Sequence, residues 1–484
     1  MYTEGLYLMK QKFKYLFKNI GLLLVGNFAS KILVFLLVPF YTSILSTYEY
    51  GIYDLYYATL QLLFPILSLN VVDAVMRFPI EAKKKEQKIA FTLGLKCICL
   101  ASIIIFFSSI IFSQVIKPEV VTLYWKYFVI LFIAYALNNI IIQFARGIDD
   151  VSGIAIAGVI GTCAMILFNI LFLLVLKLSL VGYFYAMILS LIFPVLFLSL
   201  RDRLWEYIYI NKAILKVSSF EKEMLAYCLP LMFINVSWYI NNVADRYVVT
   251  WLCGVEANGV YSVAYKIPAI LNAVQVVFIQ AWQLSAVKEY EKEKGIAFYS
   301  KTYQGCQNVI TLLCSCLILS TKVISGILFA KEFYQAWRYI PVLLIYIVFN
   351  TLSGTIGGIF TATKDTKKLA YSSIIGAITN ILLNFVFVFF MGPIGAAIAT
   401  VISSWLIWAL RIKSLRNHIK LQIHYGLHSL QYAILFGQAA ALILINNTLY
   451  MYIVQSCSIV LIGIISFFDV KKGFKIDIME DMSK

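Results

Sequence analysis

Residues 229–282 read LPLMFINVSWYINNVADRYVVTWLCGVEANGVYSVAYKIPAILNAVQVVFIQAW. Two apolar segments of membrane length are joined by a short acidic turn, CGVEANG at residues 253–259. Polar groups are threaded through both. On the first, Asn235, Trp238, Asn242 and Asp245 are spaced three, four and three apart, which predicts one helical face. Arg246 stands beside that stripe, and Lys266 lies about two turns inside the second apolar run. A charge at the centre of a membrane helix costs about 2.5–3.5 kcal/mol on insertion scales. Asp, Arg and Lys in such an apolar pair therefore predict a wet, protein-lined space between helices, where something charged is handled. Asp245 and Arg246 sit near the outer end of their segment, so snorkelling to the headgroups is the competing reading for both. Lys266 fits that reading less well.

Composition sets the class. Of 484 residues, 62% are hydrophobic and 13% charged, with mean hydropathy +0.86, against about 45–50% apolar and 25% charged in soluble domains. This predicts a polytopic membrane protein. Cys97/Cys99 and Cys314/Cys316 are two apart within apolar runs, a spacing that points each pair to different faces and reads as packing rather than disulfides or metal ligands. His418, His424 and His428 share one basic loop; His424 and His428 could meet on a helix, but a metal site is the weaker reading.

Apolar runs predict spans from the first lysine cluster to about 45, then near 53–77, 90–112, 122–144, 153–176 and 179–200. After a basic break they resume near 226–252, 259–284, 305–330, 339–362, 370–391, 393–410, 429–446 and 449–468. The first is too long for a signal-peptide core and reads as a retained span. The count is about fourteen. Basic residues check it: Lys10, Lys12, Lys14 and Lys18 lead the chain, and each later cluster, such as Lys83–Lys85, Arg201/Arg203, Lys364–Lys368 and Lys471/Lys472, follows an even-numbered span. The alternate loops STYEYG, CGVEANG, MGPIG and NNTLY carry no Lys or Arg. Both termini are thus expected in the cytoplasm, and the net charge of +16 is a topology signal rather than a nucleic-acid footprint.

GIYDLYYATLQLL from Gly51 and GVYSVAYKIPAIL from Gly259 share Gly, Tyr, Tyr and Leu at an offset of 208 residues, and Thr42 and Thr250 keep it. The expected architecture is all-α, with two parallel six-helix lobes of MATE-like plan. The boundaries read 1–200 for the N-terminal lobe, 201–225 for a cytoplasmic linker and 226–415 for the C-terminal lobe. Residues 416–484 hold a cytoplasmic loop, two appended helices and a cytoplasmic tail.

The first half has its own polar stripes. Asn27 and Lys31 are four apart on span one. Asn70, Asp73 and Arg77 share a face of span two, with Asp73 and Arg77 spaced as a favourable ion pair. Asn139, Gln143 and Arg146 repeat the pattern on span four. Hydrogen bonding between helices is the competing reading of the amides. Gly354, Gly357 and Gly358 lie in an apolar helix without a following Lys and read as close packing. There is no HExxH, Ser-His-Asp or Walker pattern, and the longest extramembrane stretch is too short for a catalytic domain. No enzyme activity and no metal or cofactor are expected.

Gly26-Asn27 with Lys31, Pro39-Phe40-Tyr41-Thr42 and Tyr50-Gly51-Ile52-Tyr53 resemble the opening of bacterial polysaccharide repeat-unit flippases. A second signature is Leu229-Pro230, Asp245-Arg246-Tyr247 and Gly259-Val260-Tyr261-Ser262-Val263-Ala264-Tyr265-Lys266. These are the Wzx-type O-antigen and capsule transporters of the multidrug/oligosaccharidyl-lipid/polysaccharide superfamily, and the resemblance covers essentially the whole chain. It implies a bacterial plasma-membrane flippase for surface-polysaccharide synthesis. The substrate would be an undecaprenyl-diphosphate-linked oligosaccharide, turned from the cytoplasmic to the outer leaflet through a cavity open alternately to either side. Lys31, Arg77, Arg146, Arg246 and Lys266 would replace the diphosphate's water. Asn27, Asn70, Asn139, Gln143, Asn235 and Asn242 would suit sugar hydroxyls. Asp73 and Asp245 have two readings: they hold the cations in place, or they bind a coupling proton or sodium ion. The expected partners are the lipid-linked oligosaccharide, the bilayer and other polysaccharide-assembly proteins.

A lipid II flippase is the near alternative. A drug or cation antiporter of the same superfamily would favour embedded carboxylates with few basic partners, whereas here the cations outnumber the acids. A membrane glycosyltransferase or polymerase would need a large outer loop or clustered acids, and the sequence has neither.

Overall fold

The computed structural model describes residues 35–80, 82–115, 119–209, 218–290, 295–363, 365–416, 419 and 421–482, which are overwhelmingly helical and contain no strand. Among them ten helices are long and apolar enough to cross a membrane, and two bent helix pairs raise the number to twelve. The chain is a multi-pass, all-α membrane protein. The helix at the predicted seventh span, Ser219–Cys253, is additional to these. Most of the predicted first span falls in residues 1–34, outside the described residues.

The chain divides into two compact units, Met1–Asn242 and Val243–Lys484. The first holds α1 (Val38–Ile44), α2 (Thr47–Leu67), α3 (Val71–Arg77), α4 (Lys84–Val115) and α5 (Glu119–Gly147). It continues with α6 (Val151–Asn169, extended by a π-helical turn Ile170–Val175), α7 (Ser179–Arg201) and the start of α8 (Ser219–Cys253). The α6–α7 hairpin packs on itself, α7 lies on α5, and α5 carries α4 and α3. Their common core is aromatic: Tyr53 meets the Tyr183 ring at 4.4 Å and Tyr41 meets it at 4.7 Å, both edge-on. Tyr41, Thr42, Tyr50, Gly51, Ile52 and Tyr53 are all buried, so those signature residues serve packing here.

The second unit follows with α9 (Val255–Ala264), α10 (Pro268–Tyr290), α11 (Gly295–Leu328), α12 (Ile340–Ala362), α13 (Thr366–Met391), α14 (Pro393–Leu415), α15 (Tyr425–Leu444) and α16 (Thr448–Met482). Helix α12 is apolar on every side, so it takes the middle, packed by α10, α11 and α14. Its Gly357 admits the Arg411 guanidinium, 3.3 Å from where a Cβ would stand. Helices α13 and α14 pair, and α15 and α16 close on α11. Outward positions remain large and apolar, as with Phe389 and Phe390 on α13, 72% and 77% exposed. Faces of this kind belong against lipid. All nine cysteines are free; Cys99, Cys163, Cys316 and Cys457 are exposed on apolar helices, whereas Cys314 is buried.

Two predicted turns shrink. STYEYG was expected as a loop, but Ser46 and Glu49 form a capping box and the helix begins at Thr47. The break within CGVEANG is confined to Gly254, whose φ of +93° suits glycine; Glu256 already lies in the first turn of α9.

Candidate functional site

In the first unit one apolar span is broken. Helix α2 carries Pro65 near its end, and Leu69 and Asn70 both adopt the left-handed conformation, with φ of 52° and 53°. The chain then resumes as α3 at an angle of 65°. The Asn70 N–H donates to Pro65 O at 2.9 Å and closes the end of α2. Asparagine tolerates this conformation better than most residues, and its side chain is also used. Asn70 Nδ2 donates to Asp73 Oδ2 at 2.5 Å, and Asn235 Nδ2 on α8 donates to Asn70 Oδ1 at 3.0 Å and to Asp73 Oδ2 at 3.5 Å. The break is thus tied by an amide–carboxylate cluster. Among the described residues Asp73 forms no ion pair with Arg77: the expected helical pair is replaced because the break puts two amides on the carboxylate instead. Arg77 is exposed at the end of α3, and Arg146, also exposed, donates to Gln143 Oε1 at 3.1 Å at the end of α5. Asn139 donates back to Tyr135 O at 2.8 Å.

The second unit has a break of its own. Helices α9 and α10 meet at 50°, and Tyr265, Lys266 and Ile267 form the turn between them. Lys266, expected two turns inside a helix, therefore stands at the interruption, half-buried. One turn earlier α9 closes on the end of α8 through Asp245, which is only 2% exposed. Snorkelling does not describe it. Tyr261 and Tyr265 donate their hydroxyls to Asp245 Oδ2 at 2.9 and 2.5 Å, and the Arg246 N–H donates to Oδ1 at 2.9 Å. The Arg246 guanidinium lies 5.6 Å from the centre of the Tyr265 ring. A carboxylate with three donors and a cation stacked beside its cage can hold its charge, or exchange it for a proton or a small cation.

The two breaks are not related by the 208-residue offset. Shifted back by it, the second falls on Tyr57–Thr59, inside the unbroken α2. Asn27, Lys31 and the side chains of Trp238 and Asn242 lie outside what the structure describes.

A third charged cluster joins α6 to α7. Asp150 caps α6 through the Gly153 N–H, and Arg201 donates to it twice, Nε to Oδ2 at 2.7 Å and Nη2 to Oδ1 at 3.1 Å. Burial pushes the Asp150 carboxyl up, but Arg201 with the Gly153 N–H and the Ser152 hydroxyl outweighs it and holds the group below its ordinary range. Its neighbour Asp202 is pushed up to about 6, first by burial and then by the Asp150 charge. Among the described residues no group of three or more His, Cys, Asp or Glu is placed to hold a metal ion.

Two arrangements were not foreseen. Arg411, counted with the loop charges, folds into the unit and donates to Ser353 O at 2.8 Å, Ser372 Oγ at 3.1 Å and Ser373 Oγ at 2.9 Å. His424 and His428, placed in a loop, instead cap and begin α15, where both meet Asp469. The four-residue spacing of the histidines was visible; the aspartate some 40 residues on was not.

Residues 16–284, more than half of the chain, match the family model described as "Polysaccharide biosynthesis protein", and residues 230–386 match the MatE model. The probable low-salt glycan biosynthesis flippase Agl15 of Haloferax volcanii is 24% identical over 173 residues, 35% of this chain and 36% of its own. Protein DETOXIFICATION 43 of Arabidopsis thaliana is 35% identical over 95 residues, 18% of either chain. The chain thus matches well under half the length of these curated relatives. Among solved structures, an inward-facing multidrug resistance MATE transporter of the MOP superfamily superposes with TM-score 0.66 at 18% identity, over 83% of this chain and 96% of its own. The lipid II flippase MurJ in an inward closed conformation gives 0.68 at 16% identity, over 94% and 99%. At these identities the likeness establishes the fold, which is MATE- and MurJ-like.

Proposed function

The chain belongs to the polysaccharide biosynthesis protein family, a family of the MOP transporter fold, and on that premise we propose that it flips an undecaprenyl-diphosphate-linked oligosaccharide repeat unit. The movement runs from the cytoplasmic to the outer leaflet of a bacterial plasma membrane by alternating access, for surface-polysaccharide assembly. The lobes of this reading are residues 1–200 and 226–415, with both termini cytoplasmic.

The observation that supports it is that an apolar span breaks in each unit and ionisable side chains stand at the break. Irregular backbone at membrane depth is tolerated where it is packed in protein or lines a watery cavity. A diphosphate leaving water needs cations in its place. Arg77, Arg146, Arg246 and Lys266, with Lys31, supply them in this reading. The amides Asn27, Asn70, Asn139, Gln143, Asn235 and Asn242 face sugar hydroxyls, and Asp73 and Asp245 carry the coupling proton or sodium ion.

The test is a flipping assay in proteoliposomes, with a fluorescent undecaprenyl-diphosphate oligosaccharide, lipid II and a cationic dye in parallel arms. The oligosaccharide should move, and Lys266→Ala, compared at matched amounts of reconstituted protein, should flip it at least about tenfold more slowly, because the diphosphate loses a cation. Movement of lipid II alone would transfer the assignment to the lipid II reading. Movement of the dye alone would overturn the flippase reading in favour of an antiporter.

A further inference from the structure

The C-terminal helix pair carries a buried ionisable cluster that the proposed transport does not use. Asp469 on α16 is wholly buried. His424 Nδ1 lies 2.6 Å from its Oδ1, His428 Nε2 lies 3.4 Å from its Oδ2, and Asn308 Nδ2 on α11 donates to Oδ2 at 2.8 Å. A relay of donors leads to the same carboxylate. Tyr432 donates to Gln307 Oε1 at 2.7 Å, Gln307 to Gln431 Oε1 at 3.1 Å, and Gln431 to Asn308 Oδ1 at 2.9 Å. Every dipole in that chain points its positive end towards Asp469, and aligned hydrogen bonds strengthen one another.

Dipoles alone leave a full negative charge in the interior, which is costly without an opposite charge. Among the described residues the cations on the packed elements are Lys301 and Lys322 on α11, Arg416 after α14, and Lys471 and Lys472 on α16; the tyrosines (Tyr299, Tyr303, Tyr425, Tyr432, Tyr450, Tyr452) and cysteines (Cys306, Cys314, Cys316, Cys457) there supply no positive charge. Lys301, Lys471 and Lys472 are exposed, Lys322 lies 4.5 Å from the Trp337 ring, and Arg416 stacks on Tyr425 at 5.1 Å. The compensating charge is left to the two imidazoles. His428 is 2% exposed and its Nδ1 finds no hydrogen-bond partner, whereas the side chain of His424 keeps 11% exposure at the start of α15. His424 is therefore the group that protons reach. The N-terminus of α15 disfavours a cation there, whereas the Asp469 carboxylate attracts one.

We propose that His424, His428 and Asp469 form one proton-binding site that clamps the C-terminal helix pair, α15 and α16, onto α11. With the proton bound the site is a neutral imidazolium–carboxylate pair. Without it the buried carboxylate loses its counter-charge and the clamp weakens. A proton held more tightly by the folded chain than by the unfolded one stabilises at low pH, and that stabilisation is lost as pH rises through the folded-state midpoint.

The chain has only three histidines, so the full-length protein with His418→Gln and [15N]histidine, in lipid nanodiscs, leaves two imidazoles to follow by NMR. One proton should be taken up by the pair, and Asp469→Asn, which keeps the shape and the Asn308 contact, should lower its affinity about tenfold or more. Thermal unfolding should fall with rising pH through the same midpoint, and in an Asp202→Asn background Asp469→Asn should remove that fall. His428→Gln, which retains a donor to Asp469, should leave one titrating imidazole. An unchanged midpoint in Asp469→Asn would overturn the site, as would two imidazoles that stay neutral throughout. Resonances that shift with sodium at fixed pH would replace the proton by a metal cation.

Discussion

Asp245 illustrates what a single side chain contributes. Replacing it by Asn keeps an oxygen to accept from Tyr261 and Tyr265 and removes only the charge. Asp245→Asn should therefore reach normal abundance, yet lose about tenfold in gradient-driven transport, a loss typical of one broken coupling between sites. Protein level and transport with and without an imposed pH or sodium gradient are the measurements; transport that keeps its gradient dependence would leave Asp245 a structural residue. The aspartate was legible in the sequence because it stood on a polar stripe in an apolar run. Its tyrosine donors were not, since they come from the next helix, and nothing in a helical period says where α9 will fold back. Asn70 was legible for the same reason as Asp245, as a polar residue on a face. That it would leave the helix was not, because the period continues unbroken through the stretch where the backbone turns.

At the level of elements, the interruption between α2 and α3 depends on side chains that tolerate a left-handed backbone. Asn70→Ala removes both that tolerance and the bonds to Asp73 and Asn235. It should cost about 2 kcal/mol, from roughly 1–2 for the backbone and about 1 for the hydrogen bonds, read as a lower unfolding midpoint in detergent. Asn70→Gly should cost less. The junction of α6 and α7 responds to pH instead. The folded-state pKa of Asp202 is raised to about 6, so its contribution is fully present below the unfolded value and disappears as pH rises from about 4 to 6. Asp202→Asn should remove that decline, measured as the difference in unfolding temperature between pH 5 and pH 7. The capping box at Ser46 is in plain view as S-x-x-E, but its polar residues lie between two hydropathy peaks and have the composition of a loop.

For the molecule as a whole, hydropathy carried the fold. Thirteen predicted spans, from 53–77 onward, coincide with described helices or bent pairs, because a membrane leaves each segment to satisfy its own backbone. The bends themselves escape any measure that averages over a span. A reporter active only in the cytoplasm should work when fused after Lys88, Lys222, Lys301, Lys368 or Lys420 and fail after Gly392; one reversed signal would undo the proposed topology.

The nine free thiols have a practical consequence. Thiol chemistry requires the thiolate, which does not form in hydrocarbon. Cys99, Cys163, Cys316 and Cys457, although exposed on the protein, face a solvent in which water-soluble maleimides do not dissolve. Cys253, half-buried at the turn before Gly254, is the thiol nearest water, so with Cys253→Ser the chain should be close to silent towards such reagents, and a single cysteine added in an aqueous loop would then report its side of the membrane against little background.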